Sequence, residues 1–144
     1  MFDKILLPTD GSDVSLAAAE RAAALAKLCG ATLQVVYVQE PYPYTGIGAA
    51  SSAGRMAYEA EAQQQAIEAF ARAEALARVP GVTIVTERIE GSSPAEGIVE
   101  AARRCGADLI VMASHGRSGV ARLLLGSVAQ KVLVLAEVPV MIVK

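Results

Sequence analysis

Residues 3–38, DKILLPTDGSDVSLAAAERAAALAKLCGATLQVVYV, carry the reading that decides the fold. DKILLPT is a short, continuously apolar run closed by Pro and Gly, the pattern of a strand buried on both faces. From Ser12, whose side chain suits a helix N-cap, apolar residues recur at helical spacing as far as Gly30, a residue that ends helices in the left-handed conformation. ATLQVVYVQ (31–39) is rich in β-branched residues and reads as a second strand. A strand, a helix and a strand in this order form a βαβ unit, whose crossover is right-handed.

The same alternation continues to the end of the 144 residues. Residues 40–54, EPYPYTGIGAASSAG, form a Pro-, Gly- and Ser-rich loop, long for a compact domain and therefore functional or mobile. Residues 55–79 are rich in Ala, Glu, Gln and Arg and read as a long helix covering the sheet. PGVTIVTERI (80–89) reads as an edge strand with alternating exposure, and SSPAEGIVEAARRCG (92–106) as a helix with a Ser cap, Pro94 in its first turn and Gly106 at its stop. ADLIVMAS is a fourth strand, GSVAQKVLVLAE a fourth helix and VPVMIVK the last strand. The expectation is a single α/β domain over 1–144, a doubly wound five-stranded parallel sheet of order 3-2-1-4-5 with helices on both faces.

Composition narrows the function classes. Hydrophobic residues make up 53% and charged residues 19%, a globular balance, and the net charge of -2 makes nucleic acid and anionic membrane poor partners. The N-terminal apolar run is too short for a signal peptide and no segment has the length of a membrane span, so a cytoplasmic location is expected. The two cysteines, Cys29 and Cys105, each precede a helix-ending glycine and read as buried free thiols. Glu87, Glu90 and Glu96 show no metal-ligand spacing.

In order 3-2-1-4-5 the chain reverses its winding between strands 1 and 4, and ligands of such sheets bind at the carboxyl ends of the strands at that point. Strand 1 ends in Pro8-Thr9-Asp10-Gly11-Ser12 and strand 4 in Ala113-Ser114-His115-Gly116-Arg117-Ser118-Gly119. The second segment leads to Gly126-Ser127 at a helix start, where backbone N–H groups and the helix dipole favour an anion. Glycines let the backbone close on phosphate oxygens, and Arg117 and Arg122 bring positive charge. On spacing alone the glycines also read as ordinary turn formers, and neither a P-loop nor a dinucleotide fingerprint is present. Asp10 reads either as an acceptor of ligand hydroxyls or as a turn aspartate. Tyr42 and Tyr44 either cover a base or anchor the long loop. His115, the one histidine, has no assignable catalytic partner.

KILLPTDGS, GSSPAEGIVEAARRCGADLIVMASHGRSG, LLLGSVAQKVL and VPVMIV together resemble the universal stress protein family over essentially the full length. ATP-binding members carry G-x2-G-x9-G-[ST]. Here the aligned positions are Ala113, Gly116, nine further residues and Gly126-Ser127, so Ala113 departs from the pattern. Alanine is small but does not readily take positive φ, which matters only if the first glycine is needed for its backbone freedom. The resemblance implies an ATP site, with AMP or ADP as related ligands and Mg²⁺ arriving with the phosphates. It implies Asp10 at the ribose and adenine beside Pro8 and Thr9, Val38 offering backbone groups to the adenine, and Met112, Ala113, His115, Gly116, Arg117, Gly119, Gly126, Ser127 and Val128 around the nucleotide and its phosphates. A stress-response role through conformation or partner binding follows, with at most slow hydrolysis. The rival readings are a nucleotide-free interaction module of the same fold and an ATP-dependent enzyme using Asp10 or His115. A homodimer through the apolar C-terminal strand, residues 138–143, is expected on composition because that strand lies at an open sheet edge, and the resemblance implies the same contact.

Overall fold

The computed structural model describes residues 1–40, 42, 52–90, 93–116 and 124–144. Strands and helices alternate as β1 (Lys4–Thr9), α1 (Asp13–Cys29), β2 (Thr32–Val38), α2 (Ser52–Leu76), β3 (Ile84–Ile89), α3 (Pro94–Cys105), β4 (Leu109–Ala113), α4 (Ser127–Leu135) and β5 (Val140–Val143). All strand pairings are parallel and the order is β3-β2-β1-β4-β5, as the alternation predicts.

β1 is central because both its faces are covered. Ile5 and Leu7 join the α1 side of the core, whereas Leu6 joins the α3 and α4 side. Along α1 the buried residues Ala18, Ala19, Ala22, Ala23 and Ala26 form a stripe without long side chains, so the helix axis lies close to the sheet. α2 buries a narrower stripe, Ala62, Ala66, Ala69 and Ala73, and leaves the rest of its surface polar. β3 has only β2 as a strand neighbour, and β5 only β4, so these are the two edges.

Local chemistry sets the ends of the elements. The Ser12 side chain accepts the Ser15 amide at 3.2 Å and starts α1. Gly30 (φ 69) and Gly106 (φ 70) close α1 and α3 in the left-handed conformation that a side chain resists. Two elements are shifted by three or more residues from the sequence reading. α2 runs from Ser52 to Leu76 rather than over 55–79, since Val79 precedes Pro80 and is pushed out of helical geometry. β3 starts at Ile84 rather than at residue 80, because Gly81 (φ 88) sits in a turn closed by Val82 N–H on Val79 O. Cys29 and Cys105 are free but half-buried, not buried: each is the last residue of its helix and so lies at the rim of the layer.

Candidate functional site

β1 hands the chain to α1 on one face of the sheet and β4 hands it to α4 on the other. Between these diverging exits lies a cavity of about 720 Å³. Pro8, Thr9, Asp10, Val38, Met112, Ala113, His115, Gly116, Gly126, Ser127 and Val128 all line it, which brings together the described residues that the resemblance assigns to a nucleotide, whereas Tyr42 is not part of the lining. Arg117, Gly119, Arg122 and Tyr44 lie outside the described residues.

The β1 exit is held by a directed chain of hydrogen bonds. Ser15 Oγ donates to Ser12 O at 2.9 Å, and Ser15 Oγ and Thr9 Oγ1 are 2.8 Å apart. A hydroxyl has one proton, so with Ser15 committed to Ser12 O it is Thr9 that donates to Ser15. Thr9 Oγ1 in turn accepts Gly11 N–H at 3.0 Å. Asp10 Oδ1 accepts Ser12 N–H at 2.9 Å, which makes Asp10 a turn residue. Its other oxygen lies on the Gly116 side, where a Cβ added to Gly116 would collide with Oδ2. The aspartate thus braces the turn with one oxygen and meets the β4 exit with the other.

At the β4 exit, Gly126 N–H donates to Ser114 O at 2.7 Å, so the start of α4 rests directly on the strand end. A Cβ on Gly126 would stand 3.1 Å from Ser114 O and 3.3 Å from His115 Cα, both backbone atoms. Gly126 itself has φ -61 and ψ 153, a conformation open to any residue, so close approach rather than backbone freedom requires the glycine. His115 Nδ1 is 2.8 Å from Ser114 Oγ, which fixes the ring, and its Nε2 is buried without a partner. With Gly126 as cap, the amides of Ser127, Val128 and Ala129 occupy the first turn of α4, where no intrahelical acceptor exists.

Ala113 is the last residue of β4, paired with Val143 and buried. Among the described residues no non-glycine has positive φ, so alanine adopts this strand geometry without strain. The backbone-freedom argument for a glycine at this position therefore finds no support in the local conformation.

The opposite wall was not legible as part of a site. Gln39 and Glu40 follow β2, and Tyr58, Glu61 and Gln65 come from α2. Tyr58 OH donates to Glu40 O at 2.8 Å, Gln65 Nε2 donates to Glu61 Oε1 at 3.1 Å and Tyr37 OH donates to Gln65 Oε1 at 3.4 Å. Tyr58, Glu61, Ala62 and Gln65 share one helical face by their spacing, the only signal available. Tyr42 packs edge-on against Tyr58 at 5.1 Å, consistent with an anchor for the chain after β2. The remaining sequence-noted carboxylates form ion pairs instead: Glu87 with Arg104, Glu90 with Arg88 and Glu96 with Lys131. Among the described residues no group of three or more His, Cys, Asp and Glu is placed to hold a metal ion, and no helix is long and apolar enough to cross a membrane.

The cavity has unlike ends. Gly116, Gly126 and the first turn of α4 bring backbone donors to one side, where Asp10 Oδ2 also lies, and Gln39, Glu40, Tyr58, Glu61 and Gln65 line the β2 and α2 side. Such an arrangement suits an elongated ligand with an anionic group at one end and hydroxyl or amino donors at the other.

Known proteins share this frame. Universal stress protein MJ0531 of Methanocaldococcus jannaschii is 42% identical over 144 residues, covering 100% of this chain and 83% of its own. The solved structure of universal stress protein UspA from Lactobacillus plantarum superposes with a TM-score of 0.85 at 26% identity, covering 99% of this chain and 97% of that one. A universal stress protein crystallised in complex with cAMP matches with a TM-score of 0.68 at 29% identity, covering 99% and 96% of the two chains. The family model for universal stress proteins spans residues 1–144, and with the doubly wound sheet and the glycine-lined crevice at its switch point, this chain belongs to the universal stress protein family.

Proposed function

We propose that the protein binds ATP in the switch-point cavity and acts in stress response through nucleotide-linked changes of conformation or partner. The observation that carries this reading is the lateral order of the cavity wall. Val38 on β2, Asp10 after β1 and Gly116 after β4 follow one another across adjacent strands. Neighbouring strands are about 4.8 Å apart, so β2 to β4 spans roughly 10 Å, the reach from a nucleobase to its first phosphate. In this reading the adenine lies by Val38, the ribose hydroxyls donate to Asp10, and the phosphates take the first-turn amides of Ser127 and Val128. Arg117 and Gly119, which the resemblance also assigns to the nucleotide, lie outside the described residues, and Mg²⁺ is carried by the phosphates in this proposal. The cAMP-bound relative supports an adenine nucleotide as the ligand class.

Turnover is slow or nil in this proposal. The direct test is denaturation of freshly purified protein followed by identification of the released small molecule by mass. ATP or another adenine nucleotide is the expected product. No nucleotide in the extract, together with no binding in titration, would leave the nucleotide-free interaction module as the better reading.

Assembly is proposed through β5. Val140–Val143 pairs with β4 on one side only, Met141 is 42% exposed, and Leu133, Val134 and Leu135 at the end of α4 are also exposed. A second copy pairing antiparallel with β5 would satisfy the open edge and cover these side chains about a two-fold axis. Sedimentation at micromolar concentration should give twice 14.9 kDa, and Met141→Lys should shift the protein toward monomer. A monomer mass for the unmodified chain would overturn the contact.

A further inference from the structure

We infer that Gln39 sets the base preference of the cavity by accepting a hydrogen bond from the 6-amino group of adenine. This rests on the nucleotide reading above and adds a residue that selects among nucleotides.

Among the described residues four buried side-chain atoms lack a hydrogen-bond partner: Gln39 Oε1, Arg88 Nη1, Ser93 Oγ and His115 Nε2. Only Gln39 and His115 belong to residues that line the cavity, and they lie at its opposite ends. His115 stands beside the glycines of the phosphate side. Gln39 follows Val38 at the far end, where the base lies. A buried carbonyl oxygen without a partner carries a desolvation penalty that a ligand donor removes.

The surroundings make Gln39 a defined reader. Its own N–H donates to Ile89 O at 3.0 Å, and the next carbonyl, Glu40 O, is held by Tyr58 OH at 2.8 Å. The backbone is therefore pinned on both sides while the terminal amide torsion stays soft, so the carbonyl can turn onto a donor in the cavity. The other amide on this wall is already committed, since Gln65 gives its Nε2 to Glu61 and receives Tyr37 OH on its Oε1. Glu40 and Glu61 add further acceptors. A wall rich in acceptors favours a base edge that carries an amino group and disfavours one that carries a carbonyl.

Titration calorimetry with AMP, purine riboside 5′-monophosphate and IMP tests the assignment, because the purine analogue lacks only the 6-amino group and IMP replaces it with oxygen. The unmodified protein should prefer AMP over the purine analogue by at least about fivefold, the scale of one lost hydrogen bond. Gln39→Met should bring the two affinities within about twofold while leaving that of the purine analogue unchanged. Gln39→Glu, which keeps an acceptor, should retain the preference. AMP binding with a ratio unaffected by Gln39→Met, or a preference for IMP over AMP, would overturn the role of Gln39 and leave the nucleotide site standing. Binding of neither these monophosphates nor ATP to the unmodified protein would remove the nucleotide site and Gln39 together.

Discussion

Gly126→Val is expected to weaken ATP binding at least tenfold, about 1.4 kcal/mol, in a protein that still folds. The reason is contact, not conformation. The Gly126 backbone already has dihedrals that valine adopts, but its Cβ would stand 3.1 Å from Ser114 O and 3.3 Å from His115 Cα. These are backbone atoms of the β4 exit, so the strain relaxes only by moving the start of α4 away from the strand end. That movement stretches the 2.7 Å bond from Gly126 N–H to Ser114 O and displaces the first-turn amides proposed to hold the phosphates. Gly126→Ala asks the same neighbours to yield by a smaller amount and should fall between the two. Calorimetric titration of folded variants measures the series. A valine variant with unchanged affinity would mean that the phosphates bind elsewhere.

Asp10→Ala is expected to lose roughly 1–3 kcal/mol of nucleotide affinity, the range for hydrogen bonds to a charged acceptor. The aspartate has a second duty, since its Oδ1 accepts the Ser12 amide at 2.9 Å just ahead of the α1 cap. Alanine therefore also removes a turn contact worth about 1 kcal/mol, and a modest fall in the melting temperature of the ligand-free protein should accompany the weaker binding. Asp10→Asn separates the two effects. The amide oxygen can keep the Ser12 bond, while the charge is lost and the position beside Gly116 becomes an NH₂ group, a donor where the proposed ribose contact needs an acceptor. Near-normal melting with binding weakened as in the alanine variant would assign Asp10 to the nucleoside. If the asparagine variant instead binds ATP like the unmodified protein, the aspartate serves the turn alone.

Both variants probe places where separate elements meet, Gly126 against the end of β4 and Asp10 against Gly116, and there the sequence and the tertiary structure divide the work. Ser12, Gly30, Pro94 and Gly106 mark helix ends through interactions within one turn, so their meaning is contained in their own neighbourhood. Continuous apolar runs in β1 and β4 identify central strands, since a strand covered on both faces has no polar side to show. Right-handed crossovers then leave few sheet orders, and the switch point between β1 and β4 follows with Asp10, Gly116, Gly126 and Ser127 beside it.

The wall opposite them was decided by packing. Tyr58, Glu61 and Gln65 share the face of the buried Ala62, but helical periodicity tells which residues share a face and not what that face overlooks. Only the placement of α2 against the sheet turns that side over the ends of the strands and adds it to the cavity. Ala113 makes the same point in the other direction. In a motif it stands where a glycine is expected, and its identity alone leaves open whether a left-handed backbone is needed. Pairing with Val143 holds it in extended geometry, so the demand on this residue comes from the neighbouring strand and not from the loop that follows.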